Sequence, residues 1–163
     1  MHAAKDAQQE IFQEMGFPTT RTWLGGAVAY SVARTYNLLA RQLAQIYARH
    51  ELTAASFNVL MLLKHGADPD TMMQRAIGER LVVSPSDMTG LVDRLERRGL
   101  VRRTRSAEDR RQKLLRVTAK GEALIERVWP HHVQAITKLC RALDETECGQ
   151  LIAAMSKLRA QCA

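Results

Sequence analysis

Cysteine is scarce in this 163-residue chain, and its three copies, Cys140, Cys148 and Cys162, crowd toward the C-terminus with no C-x-x-C spacing. That excludes a zinc or disulfide framework. Buried apolar filler is their expected role, ahead of a redox sensor, which needs a lowered thiol pKa. Aromatic residues are also few, with two Trp, three Tyr and three Phe, and the apolar content falls mainly on Leu, Ala, Val and Ile, as in helical proteins. No apolar run approaches the roughly 18 uncharged residues of a membrane span, and Met1 is not followed by a basic stretch and apolar core. A cytoplasmic location is therefore expected. There is no Gly-rich phosphate loop and no nucleophile elbow. The adjacent His131 and His132 would point roughly 100° apart on a helix and so make no two-ligand metal face. Neither catalysis nor a cofactor is expected.

What the chain does have is positive charge in one place. Lys and Arg number 24 against 17 Asp and Glu, a net of +7. The window from Arg94 to Arg116 holds ten basic and three acidic residues, so it carries the whole excess and the remainder is balanced. Charge clustered in this way releases counterions from a phosphate backbone, which points to a polyanion as partner.

That window lies inside a longer pattern from Met72 to Thr118: a helix, a tight turn, a second helix and a basic hairpin, the order of a winged helix-turn-helix. The first helix is expected over 72–81. The second starts at a marked cap, with Ser84, then Pro85 at the first helical position and Asp87 three residues after the serine, and it runs to Gly99. Ile77, Gly78, Leu81, Val83, Met88 and Leu91 fall where the wedge between the two helices needs filling, with Gly78 small at their crossing. Val82 stands where many such turns carry glycine. The solvent side of the second helix offers Ser86, Asp87, Thr89, Gly90, Asp93, Arg94, Arg97 and Arg98. Short polar groups near its start suit base edges, and arginines near its end suit phosphates. Two strands, 100–105 and 113–117, then form a wing whose basic residues Arg105, Arg110, Arg111 and Lys113 surround the tip, where an arginine can enter a minor groove.

The flanks read as helix. Residues 3–15 suggest a short arm, ended by Gly16 and Pro18, that folds onto a partner surface or frays. A long helix is expected from Trp23 to His50, a shorter one capped by Thr53 and stopped at Gly66, one over 118–143 kinked by Pro130, and a last one capped by Asp144 and Glu147. The last carries a stripe of Leu151, Ile152, Met155 and Leu158, most simply buried against a second copy of the chain. The expected architecture is mostly α with a small β-hairpin wing. It comprises an arm (1–20), a helical dimerisation region (21–51 and 119–163) and a winged helix-turn-helix (52–118).

The chain resembles the MarR family of bacterial transcriptional regulators over roughly residues 22–160. The resemblance is carried by Glu51-Leu52-Thr53 with Phe57-Asn58-Val59-Leu60, Glu79-Arg80-Leu81 into Val83-Ser84-Pro85-Ser86, the run from Met88 to Val101, Asp109-Arg110-Arg111, and Thr118 with Gly121. It implies a triangular homodimer on a pseudo-palindromic site in double-stranded DNA, acting as a repressor. Ser86, Asp87, Thr89 and Gly90 would sit on the recognition helix. Arg111 would be the minor-groove arginine, and Asp109 would hold the wing tip by pairing with an arginine. Many relatives carry a basic residue where Gly90 stands, which shifts base contact to Ser86 and Thr89. The resemblance further implies release by a small aromatic or phenolic effector, with Trp23, Tyr30, Arg34, Asn37, Asn58 and Met61 as lining residues. The oxidant-sensing branch uses a cysteine near the N-terminal helices, which this chain lacks. Two alternatives remain at this stage: a sequence-neutral architectural DNA binder, and a redox-responsive regulator working through Cys140, Cys148 or Cys162.

Overall fold

A computed structural model describes residues 2–18, 23–66, 72–105 and 113–162. The elements in chain order are α1 (His2–Glu14), α2 (Leu24–Ala48), α3 (Ala54–His65), α4 (Gln74–Leu81), α5 (Pro85–Arg97), β1 (Val101–Arg105), β2 (Lys113–Val117), α6 (Ala119–Cys140) and α7 (Glu145–Gln161). They gather into two compact units, Met1–Gln45 and Ile46–Ala163.

In the first unit, α1 does not wait for a partner surface. Ile11 and Phe12 are buried with Ala27 of α2, and Phe12, Phe17 and Tyr30 close an aromatic cluster with ring centroids 5.0–6.3 Å apart. The reason is that two large apolar side chains on adjacent positions of α1 find apolar surface within their own chain, and burying each stabilises by about 1.5–3 kcal/mol.

The second unit contains the winged helix-turn-helix. Its helix starts follow the caps written in the sequence. The Thr53 hydroxyl accepts from the Ser56 amide (3.1 Å), and that of Ser84 from Asp87 (3.2 Å). Thr118 does the same for Gly121 (3.1 Å), and Asp144 with Glu147 forms a reciprocal capping box. Each satisfies a donor left orphaned in the first helical turn. On α5 the buried residues are Met88, Leu91, Val92 and Leu95, one stripe at three- and four-residue spacing. Helix α5 packs against α3, α4 and β1, and the buried residues of the unit also include Phe57, Leu60 and Leu63 of α3, Ile77 of α4, Leu115 of β2 and Ile125 and Val128 of α6. Gly99, in the left-handed region at φ +68°, ends the α5 segment, with the Leu100 amide returning to the Leu95 carbonyl (2.9 Å).

Three local expectations are corrected. Helix α4 begins at Gln74 rather than Met72, because Met72 and Met73 join the wing: the Leu115 amide donates to the Met72 carbonyl (3.0 Å) and Met73 bridges Leu114. Helix α6 continues past Pro130 and ends at Cys140 rather than at Leu143. Gly78 is not required by the crossing, since a Cβ there would meet the Val83 carbonyl and Met88 only at 3.4 and 3.6 Å, ordinary contact distances.

The α4–α5 turn does differ from a glycine turn. Val82 adopts φ +53°, ψ +46° and is 93% exposed. A left-handed β-branched residue with no packing in return is strained. Val82→Gly is expected to raise unfolding free energy by about 1 kcal/mol, the relief partly offset by glycine's greater unfolded-state freedom. A higher urea midpoint at unchanged slope is the signature, and a lower midpoint would show that Val82 is held without strain.

The end of α2 that belongs to this unit carries Tyr47, fully buried, whose hydroxyl lies 2.8 Å from His132 Nδ1 on α6. Phe57 and Trp129 flank the same imidazole, with centroids at 5.1 and 5.4 Å. Burial pushes the Tyr47 phenol up to about 12 and lowers the His132 pKa. The imidazole tautomer sets which of the two groups donates in this bond. His132 is harder to protonate folded than unfolded, where its value is about 6.5. Its contribution to stability is thus fully present above that pH and is lost progressively as pH falls below it. His132→Asn keeps an acceptor but does not titrate; its urea midpoint should fall less than that of the parent between pH 7 and pH 5. Equal falls would remove His132 from the acid response.

Candidate nucleic-acid interface

The exposed face of α5 carries Ser86, Asp87, Thr89, Asp93, Arg94 and Arg97, with Ser84 exposed just ahead of it. At the helix start the Ser84 hydroxyl donates to Asp87 Oδ2 (2.6 Å) and lies 3.0 Å from the Ser86 hydroxyl. The Asp87 carboxylate is thereby part of the cap, at the helix end where the backbone dipole favours negative charge. One turn on, the Thr89 hydroxyl donates to the Pro85 carbonyl (2.9 Å) and accepts from Nε2 of Gln74 (3.0 Å), the first residue of α4. Gln74, Gly78, Val83, Ser84, Met88 and Thr89 line an open groove between the two helices. A Cβ on Gly90 would meet only Nη1 of Arg94, at 3.5 Å. The arginine one turn later thus lies beside Gly90.

The antiparallel hairpin pairs Val101 with Val117, Arg103 with Leu115 and Arg105 with Lys113. Directly paired residues share a face, so Arg103 stands on the same side as the buried Val101 and Leu115. Its guanidinium reaches back to α5, donating to Asp93 Oδ1 (2.5 Å) and to the Glu96 carboxylate, while Glu96 also accepts the Arg103 amide (3.0 Å). The wing is thus clamped to the recognition helix by one half-buried cation between two carboxylates.

Arg98 is likewise engaged within the chain. It donates to the carbonyls of His50 (3.1 Å) and Glu51 and pairs with the Glu51 carboxylate at 3.4 Å. The expectation that Arg98 faces solvent beside Arg97 is corrected: the α2–α3 turn, with Glu51 at φ +54°, presents two carbonyls that need a donor. Arg97 is exposed, its Nε near the Asp93 carbonyl (3.4 Å). Arg105 and Lys113 pair through their backbones at the outer end of the hairpin. Asp109, Arg110 and Arg111 lie outside the described residues.

The residues expected to line an effector site fall in different units. In the first, the exposed Trp23 lies over the glycines opening α2, where a Cβ on Gly25 or Gly26 would meet its ring at 2.9 or 2.5 Å. Tyr30 packs on Phe12 and Phe17, Arg34 pairs with Glu14 at 3.5 Å, and Asn37 is exposed. In the second, Asn58 and Met61 line a shallow depression with Leu62, His65, Gly66 and Leu81.

Cys140 and Cys162 are exposed and Cys148 is half-buried, which corrects their expected role as buried filler. Cys140 ends α6, Cys148 lies on α7 and Cys162 directly follows it. Among the described residues no group of histidines, cysteines and carboxylates is arranged to hold a metal, and no helix is long and apolar enough to cross a membrane. Sequence reasoning missed Gln74, Arg103 as a clamp, and the Tyr47–His132 pair. For Arg103 a signal existed, since strand alternation puts it on the face of Val101; the other two contacts join residues 15 and 85 positions apart.

Comparison with known proteins gives consistent matches. The profile described as MarR family matches residues 50–112. The HTH-type transcriptional regulator PecS of Dickeya dadantii is 29% identical over 128 residues, 78% of this chain and 77% of PecS. CouR from Rhodococcus jostii RHA1, solved bound to p-coumaroyl-CoA, superposes with a TM-score of 0.74 at 25% identity, covering 85% of this chain and 95% of CouR. The S. aureus MepR–DNA complex superposes with a TM-score of 0.76 at 21% identity over 83% of this chain and 96% of MepR, a likeness of fold.

Proposed function

We propose, for a chain that belongs to the MarR family of DNA-binding transcriptional regulators, that it acts as a sequence-specific dimeric repressor released by a small aromatic or phenolic ligand. The observation that carries this reading is the α4–α5 pair, with its capped recognition helix presenting Ser86, Thr89 and Arg94 to solvent, clamped through Arg103 to a basic hairpin. Together they offer a major-groove reader and a wing in one rigid piece. Ser84, Ser86, Asp87, Thr89 and Gly90 form the reading end, Arg94 and Arg97 reach toward phosphate, and Arg105, Asp109, Arg110, Arg111 and Lys113 are the further residues assigned to DNA binding.

The dimer is supported by α7, whose Leu151, Ile152 and Leu158 stay exposed in the single chain. The effector is supported by CouR, which holds p-coumaroyl-CoA, and by aromatic and cationic side chains on α2. Arg34, paired with Glu14, would exchange that carboxylate for an effector anion. Entry of such a ligand would act by changing the separation of the two recognition helices, which must match about one turn of DNA for both to dock.

Fluorescence anisotropy with duplex DNA from upstream of the protein's own gene, against a scrambled duplex across a salt series, tests the reading. The expected result is preference for one site by about 10³ or more, with a steep salt slope, reversed on adding an aromatic acid. Equal affinity for both duplexes would favour a sequence-neutral architectural binder. Loss of binding under peroxide, restored by thiol, would move the trigger to the exposed cysteines.

A further inference from the structure

We propose that Thr89 reads its operator through its γ-methyl group, by contact with the 5-methyl of a thymine, and that Gln74 is the positioning residue that holds it in this role. The inference rests on the reading of the chain as a sequence-specific regulator and says which base chemistry one of its contacts selects.

Thr89 is exposed on the fifth position of α5, where a recognition helix approaches base edges. A threonine hydroxyl has one proton to give. In Thr89 that proton goes to the Pro85 carbonyl at 2.9 Å, and the oxygen also receives Nε2 of Gln74 at 3.0 Å. The side chain therefore has no donor left for the acceptor atoms that guanine, adenine and thymine display in the major groove, and only one lone pair for the amino groups of adenine and cytosine. Its unengaged surface is the γ-methyl. The major groove displays one apolar feature, the thymine methyl, and threonine methyl groups suit it.

Gln74 makes this a property of the motif rather than of one helix. Threonine in a helix divides between two χ1 wells according to the bond its hydroxyl makes. A donor arriving from the first residue of α4 selects the well in which the hydroxyl turns toward the α4–α5 groove. Ser86, by contrast, has no methyl and keeps its hydroxyl at the helix start beside Ser84, so it remains the hydrogen-bonding reader of the pair.

The test begins with a duplex selected by the full-length protein from a random DNA library, and replaces its thymines one at a time with deoxyuridine, which removes only the methyl. Wild-type protein should bind one such duplex per half-site about fourfold more weakly than the parent, the effect of one buried methyl. Thr89→Val, which retains a methyl, should keep the discrimination between dT and dU at that position. Thr89→Ser should abolish it there alone, and Gln74→Ala should narrow it. If the selected duplex is preferred over scrambled DNA but no thymine discriminates, or if Thr89→Ser discriminates as well as wild type, the proposal is overturned while the regulator stands. If no sequence is enriched, the regulator reading fails and takes the proposal with it.

Discussion

Gly121→Ala is expected to destabilise the protein by about 3 kcal/mol or more, among the larger effects a single added methyl group produces. A Cβ at this position would stand 2.2 Å from the Leu100 carbonyl oxygen and 2.7 Å from a Val117 methyl. The carbonyl is fixed by the Thr118 amide (3.1 Å), and the Thr118 hydroxyl shares its one proton between the Gly99 carbonyl (2.7 Å) and this one (3.2 Å). Relief would require the α6 N-terminus to lift off the base of the wing. Lifting would break these bonds together with the Thr118 cap on Gly121 and uncover Val101 and Leu115 in the core. The measurement is thermal unfolding, with Tm expected to fall by about 10 °C; an unchanged Tm would mean that this junction opens at no cost. The Thr118–Gly121 pairing thus has a physical reason: a cap and a close approach occupy the same turn.

Replacing both Ile152 and Leu158 by Asp should weaken self-association by at least about 10³-fold, because burial of each side chain is worth about 1.5–3 kcal/mol and a symmetric interface contains each twice. The two positions are 65% and 42% exposed in the single chain, and Leu151 beside them is 49% exposed. The Asp144–Glu147 capping box is untouched. Light scattering should report a monomer at micromolar concentration where the parent is a dimer, and operator affinity should drop with it, since one recognition helix docks without its counterpart. A variant that stays dimeric would show that the interface lies elsewhere than α7. A variant that is monomeric yet binds the operator as before would show that dimerisation is not what selects the site.

The two largest effects come from different levels of the chain. Gly121 acts where sequence-local and long-range contacts coincide, whereas the apolar stripe of α7 is left exposed by its own chain. The effector residues stand between these cases. Tyr30, Arg34 and Asn37 lie on α2 as expected and Trp23 directly precedes it, but the aromatic contacts of Tyr30 and the Glu14 partner of Arg34 come from an N-terminal segment whose packing the sequence did not disclose.

What the sequence determined by itself was whatever is decided within a few residues. Thr53, Ser84, Thr118 and Asp144 each cap an amide three residues ahead, and that spacing is visible in the chain. The apolar period of α5 and the strand alternation of the wing are visible for the same reason, because helix and strand geometry map sequence spacing onto faces. Tertiary structure decided which polar groups remain available. Ten basic residues in one window read as one charged patch, yet Arg98 is engaged by carbonyls 47 and 48 positions away and Arg103 by carboxylates on α5. It decided that Met72 and Met73 extend the wing instead of opening a helix, and that Tyr47 hydrogen-bonds with His132 across 85 positions. It also decided that Cys140 and Cys162 are exposed. A buried carbonyl or hydroxyl takes whichever partner the fold brings to it, and the cost of leaving it unpaired is set by surroundings that no local pattern encodes.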